Sequence, residues 1–142
     1  MSQDETLFER VAATGEIDRS RQSARRRLVE SILESARFVL PDDQILLRQA
    51  FEFGLSISDI ARLLRSNRNT IYRRIRAIVA RIRSPLFAYA AKHRRAFDPT
   101  LRQIADIVVL QGQGQREASL ATGLSLHQVR KHLYALAALA GR

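Results

Sequence analysis

An all-α fold, built as two tandem helix-turn-helix units behind an N-terminal amphipathic helix, is what the sequence predicts, and three observations predict it. Leu, Ala, Arg, Ile and Gln dominate throughout, and no stretch shows the alternation of a half-buried strand. Apolar residues recur at helical spacing in each third of the chain, and the few glycines and prolines fall between those runs. Finally, the plan of residues 41–78 returns in the last third at an offset of 58 residues, Pro41 matching Pro99, Gly54 matching Gly112, and Asp59, Ile71, Ile75 and Ile78 matching Glu117, Val129, Leu133 and Leu136.

The first segment, 1–40, has Leu28, Ile32, Leu33, Ala36 and Val39 as one apolar stripe, with Arg25, Arg26 and Arg27 at its N-terminal side. It reads as an amphipathic helix that packs or dimerises, and a weaker helix is expected over Thr6 to Ala13, ending at Gly15. The second segment, 41–97, opens with Pro41-Asp42-Asp43, a proline for the first helical turn and acids for the positive end of the helix dipole. That helix is expected to stop at Gly54. A short helix through Ile60, Ala61 and Leu64 follows, with Ser56 or Ser58 as its cap. Asn67 then caps a third helix whose buried side is Ile71, Ile75, Ile78 and Ile82. The third segment, 98–142, repeats the plan, with Gly123 suited to a left-handed turn and Ser125 to capping the next helix.

Of the 142 residues, 46% are hydrophobic and 27% charged, a globular balance. The absence of cysteine excludes disulfides and thiolate metal sites, and the acids among Met1-Ser2-Gln3-Asp4-Glu5 stand where a secretory leader would be basic. No apolar run approaches the ~20 residues of a membrane span. A cytoplasmic, nucleoid-associated protein without membrane contact is the expectation. His93, His127 and His132 lack partners at metal-ligand spacing, Asp42 and Asp43 read as helix-start residues rather than paired catalytic carboxylates, and Gly112-Gln113-Gly114 lacks the remainder of a phosphate-binding motif. No catalytic constellation, metal or cofactor is expected, and the chain reads as a non-enzyme.

The formal net charge of +10 makes a polyanion the natural partner, and its distribution locates the contact. Residues 1–40 carry seven acids and seven bases, residues 41–97 four acids and twelve bases, and residues 98–142 three acids and five bases. A reader helix needs one apolar side and one side of base-reading residues, and opposite the isoleucines the helix at 67–83 offers Arg68, Asn69, Tyr72, Arg73 and Arg76. Arginine bonds two acceptors of guanine, and asparagine makes paired bonds to adenine. Arg62, Arg65, Arg74, Arg81 and Arg83 flank that helix as expected phosphate contacts. Double-stranded DNA is therefore the expected partner. In the third segment Ser125, His127, Gln128, Arg130, Lys131 and Tyr134 are the candidates for contact with DNA or a partner. Its lower charge and an exposed Leu126 leave open a grip on another protein or a second copy of the chain.

The run Leu40-Pro41-Asp42-Asp43-Gln44-Ile45-Leu46-Leu47-Arg48, then Gly54-Leu55-Ser56-Ile57-Ser58-Asp59-Ile60-Ala61-Arg62-Leu63-Leu64, then Asn69-Thr70-Ile71-Tyr72-Arg73-Arg74-Ile75, resembles region four of the bacterial sigma-70 factors. LuxR-type and some plasmid and phage regulators share its spacing. The resemblance implies major-groove reading by Arg68, Asn69, Tyr72, Arg73 and Arg76, and contact with RNA polymerase. Two departures stand out. Arg65 and Ser66 occupy the turn where that family has glycine and an apolar residue, so the turn must accept backbone strain or be reshaped. Residues 1–40 also lack the aromatic cluster of a promoter-melting module, which argues against a complete sigma factor. The leading expectation is a sequence-specific transcription regulator, with a homodimer predicting a palindromic site. The alternatives are a phage-type DNA-packaging or nucleoprotein assembly subunit, an antiactivator-like interaction protein, and the DNA-binding part of a recombinase.

Overall fold

A computed structural model describes residues 19–142, and among these the fold is all-α, with eight α-helices and no strand. The helix expected over Thr6 to Ala13 lies outside the described residues. The described residues divide into two compact units, 19–79 and 80–142.

In the first unit α1 spans Arg19–Ser35 and tightens into a 3-10 turn over Ala36–Phe38. Ile32, Ala36 and Val39 are buried, so the apolar stripe is used, although its last two members lie beyond the α-helix. Helix α2, Pro41–Leu47, begins with proline in its first turn followed by Asp42 and Asp43, as the start signal requires. Its ladder then widens into a π-helical turn over Arg48–Glu52. Gly54 ends the run at φ +66°, and the Leu55 N–H donates back to the Gln49 carbonyl at 2.9 Å.

Helix α3, Ile57–Leu63, is capped by Ser56, whose hydroxyl accepts from the Asp59 N–H at 3.1 Å. The turn after it passes through Arg65 at φ +51°, closed by a bond from the Ser66 N–H to the Ala61 carbonyl at 2.9 Å. The turn thus keeps a left-handed geometry and places a non-glycine residue in it. Helix α4, Arg68–Ile82, starts behind Asn67, whose side-chain oxygen accepts from the Asn69 N–H at 2.7 Å. Ile71, Ile75, Ile78 and Ile82 are buried along one stripe.

The second unit contains a helix that the sequence reading did not anticipate, α5 at Pro85–His93. Its start is locally encoded, since the Ser84 hydroxyl accepts from the Phe87 N–H at 3.1 Å and Pro85 supplies the first helical residue. Phe87 and Ala90 are fully buried, and α5 packs within this unit. The boundary expected at 97/98 therefore moves to 79/80, because residues 85–97 contribute core to the second unit.

Helix α6, Pro99–Ile104, is capped by Asp98, continues as a π-helical turn over Ala105–Leu110, and stops at Gly112 with φ +73°. Helix α7, Gln115–Thr122, ends at Gly123 with φ +76°, and α8, Leu126–Ala140, opens with a reciprocal capping box between Ser125 and Gln128. One core cluster of the unit is Ile104, Ala118 and Val129, with Ile107, Val108, Leu124 and Leu133 packed against it.

The repeat is more exact in the backbone than in the residues. Shifted by 58, the bond from Leu55 N–H to Gln49 O becomes Gln113 N–H to Ile107 O, Phe53 to Arg48 becomes Gln111 to Asp106, and Ile71 to Asn67 becomes Val129 to Ser125. Ile104, Ala118 and Val129 correspond to Leu46, Ile60 and Ile71, all buried in the first unit. Left-handed positions correspond as well: Gly54 with Gly112, and Arg65 with Gly123.

Candidate nucleic-acid interface

The exposed side of α4 follows from the position of its buried side. Ile71, Ile75, Ile78 and Ile82 fix one face, and Asn69, Tyr72, Arg73 and Arg76, at i, i+3, i+4 and i+7, share the other. Asn69, Arg73 and Arg76 are exposed, whereas Arg68 and Tyr72 are half-buried. Arg73 donates from Nε to the Asn69 carbonyl at 3.3 Å, which draws its guanidinium along the helix toward the N-terminus. Arg76 stands 5.7 Å from the Tyr72 ring centroid with Nη1 3.5 Å from the phenol oxygen, a cation over an aromatic face that stiffens both side chains.

The five flanking arginines separate into distinct roles. Arg65 and Arg83 are exposed, and Arg62, also exposed, forms an ion pair with Asp59 one turn earlier on α3. Arg74, one of the expected phosphate contacts, is paired within the unit: Nη2 and Nε lie 3.0 and 3.3 Å from Asp43 Oδ1, clasping α4 to the first turn of α2. Asp43 is itself buried, so this pair positions the helix. Arg81 is engaged within the protein as well. Its Nε donates to the Leu110 carbonyl at 3.2 Å, and its guanidinium lies against the Cα of Gly112, where a Cβ would collide with it. Arg81 thus serves the end of the π-helical turn in the second unit, a use the sequence does not signal.

In the second unit two of the six candidates are occupied in holding the helix start. The Ser125 hydroxyl accepts from the Gln128 N–H at 3.2 Å, and the Gln128 carbonyl oxygen of the side chain accepts from the Ser125 N–H at 3.0 Å. Arg130 donates from Nε to Gln115 Oε1 at 3.0 Å, joining α8 to the start of α7. His127, Lys131 and Tyr134 are exposed. Sequence reasoning missed the exposure of Leu63 beside the first turn and of Leu120 beside the second, since helical spacing alone does not identify an apolar residue that leaves the core.

The strongest paired charges of the second unit lie away from these helices. Arg94 donates from Nε to Asp106 Oδ1 at 3.0 Å and from Nη2 to Oδ2 at 2.8 Å, a two-pronged pair that raises the Arg94 pKa above its ordinary value, chiefly through the hydrogen bond. Among the described residues no group of three or more His, Asp or Glu is placed to hold a metal ion, and no helix is long and apolar enough to cross a membrane. In comparisons with known proteins, no family model, no curated protein and no solved structure matched the chain.

Proposed function

We propose that the chain is a sequence-specific regulator of transcription that binds double-stranded DNA by laying the N-terminal half of α4 in the major groove. One observation carries the reading. Asn69, Arg73 and Arg76 share the exposed face of a helix whose opposite face is a row of buried isoleucines, and that helix is held at its start by Asn67 and along its length by the Arg74–Asp43 clasp. A groove reader needs this combination of base-reading side chains and a fixed axis. Arg62, Arg65 and Arg83 supply cations for phosphates on either side, with Arg68 at the helix start. The resemblance of residues 40–75 to sigma region four extends the reading to contact with RNA polymerase.

Selection of the preferred duplex from a random DNA library, followed by titration of the winner and a scrambled control at two salt concentrations, tests it. With the four cations Arg62, Arg65, Arg68 and Arg83 on phosphates, the log–log salt slope is roughly −3.6. Asn69→Ala or Arg73→Ala costs about 1–3 kcal/mol of discrimination between the selected and scrambled sites. A library that enriches no motif, with binding abolished by physiological salt, refutes specific recognition.

A further inference from the structure

The second unit repeats the turns of the first and replaces three of its cations with apolar side chains. In the 58-residue register Arg62, Arg68 and Arg76 correspond to Leu120, Leu126 and Tyr134, which are 79%, 41% and 74% exposed. Arg116 and Leu120 follow one another at i, i+4 along α7, and Leu126, Arg130 and Tyr134 do so along α8. The Arg130–Gln115 hydrogen bond ties the second row to the start of α7, and each row interleaves exposed apolar side chains with cations. Such a face suits a protein partner: the apolar anchors gain nothing from phosphate, and exposed apolar clusters mark interaction sites.

Charge selects the partner. From residue 107 to the C-terminus Glu117 is the one acid, so the same face on another copy has little to offer Arg116, Arg130 and Lys131. Acids are concentrated elsewhere: residues 1–18 hold five of the chain's fourteen, Asp4, Glu5, Glu9, Glu16 and Asp18, against the single base Arg10. The same stretch carries Leu7, Phe8 and Val11 at i, i+1 and i+4, an apolar group at helical spacing among carboxylates. We infer that the α7–α8 face of the second unit docks the acidic segment of residues 4–18 from a second copy of the chain, giving a head-to-tail contact between copies. The inference is independent of DNA binding by α4.

A labelled synthetic peptide of residues 1–18 titrated into the full chain tests it, together with sizing of the full chain over a range of concentrations. The peptide binds saturably, Leu120→Ala with Tyr134→Ala weakens it by about tenfold or more, and Arg73→Ala leaves it unchanged. Both substituted residues are exposed, and circular dichroism verifies that the variant retains its helices. The full chain self-associates with concentration, and Asp4→Asn, Glu5→Gln and Glu9→Gln together abolish this. Absence of peptide binding, or binding lost with Arg73→Ala instead, overturns the inference. So does a chain that binds the peptide yet stays monomeric at every concentration, or a Leu120/Tyr134 variant that loses DNA while binding the peptide normally.

Discussion

Arg65 sits at φ +51° in a turn whose counterpart in the second unit is Gly123 at φ +76°. The left-handed conformation costs a non-glycine residue roughly 1–2 kcal/mol, and the greater freedom of glycine in the unfolded chain returns about 0.5–1 kcal/mol of that. Arg65→Gly therefore stabilises the protein by about 0.5 kcal/mol, raising its melting temperature by about 2 °C. The same change removes an exposed cation beside α4 and, under the proposed function, makes the log–log salt slope of DNA binding shallower by about 0.9. Stability and binding thus move in opposite directions. Arg65→Ala separates the two effects, because it loses the cation and keeps the strain: its salt slope matches that of Arg65→Gly, and its stability stays below that of Arg65→Gly. Urea denaturation and anisotropy titrations at four salt concentrations measure both quantities. An Arg65→Gly protein no more stable than Arg65→Ala refutes the strain argument, and an unchanged slope removes Arg65 from the phosphate contacts.

Three further outcomes follow from the geometry. Asp106→Asn leaves Arg94 without its two-pronged carboxylate and lowers stability by about 1–2 kcal/mol, read from the urea midpoint; because the Arg94 pKa is raised, its share of the pair is present below the ordinary arginine value and fades only as pH rises through the raised one, so near neutrality the midpoint does not shift on its account. Gly112→Ala costs more than Gly54→Ala, since both positions are left-handed but only the Cβ at 112 meets the Arg81 guanidinium and forces it off Leu110, and adding Arg81→Ala to each brings the two costs together. The Glu52 carboxyl, held below the usual glutamate range mainly by its hydrogen bond from Arg48, titrates in that lowered range by carbon NMR and returns to the ordinary value in Arg48→Ala; its favourable contribution is present above the ordinary value and disappears as pH falls through the lowered one.

Most of the helices were legible because their signals are local. Pro41 with two acids, Ser56, Asn67, Gly123 and Ser125 each specify a helix end through groups within four residues, and the isoleucines of α4 mark its buried side by spacing alone. The exposure of Asn69, Arg73 and Arg76 was legible for the same reason, these being the complement of that stripe. What escaped depends on partners distant in sequence. Asp43 is 31 residues from Arg74 and Leu110 is 29 from Arg81, so nothing near either arginine tells an intramolecular clasp from a solvent-facing cation. The boundary at 79/80 escaped because Pro85 and Pro99 both look like breaks, while the assignment of Phe87 and Ala90 to the second core is a matter of tertiary packing. The π-helical turns leave no composition signal at all.

Those turns, at Arg48–Glu52 and Ala105–Leu110, bear on how this chain tolerates changes in length. A π turn holds one residue more than the α turn it replaces, so the helical phase before it is offset from the phase after it. Deleting a single residue within Arg48–Glu52 can relax the ladder to a regular helix while Gly54 still ends it, whereas the same deletion within Pro41–Leu47 rotates Leu46 and Leu47 out of the core. The surplus residue in each unit is therefore the place where the helix running into it, α2 or α6, can be shortened, and an alignment with a chain lacking it must open its gap there.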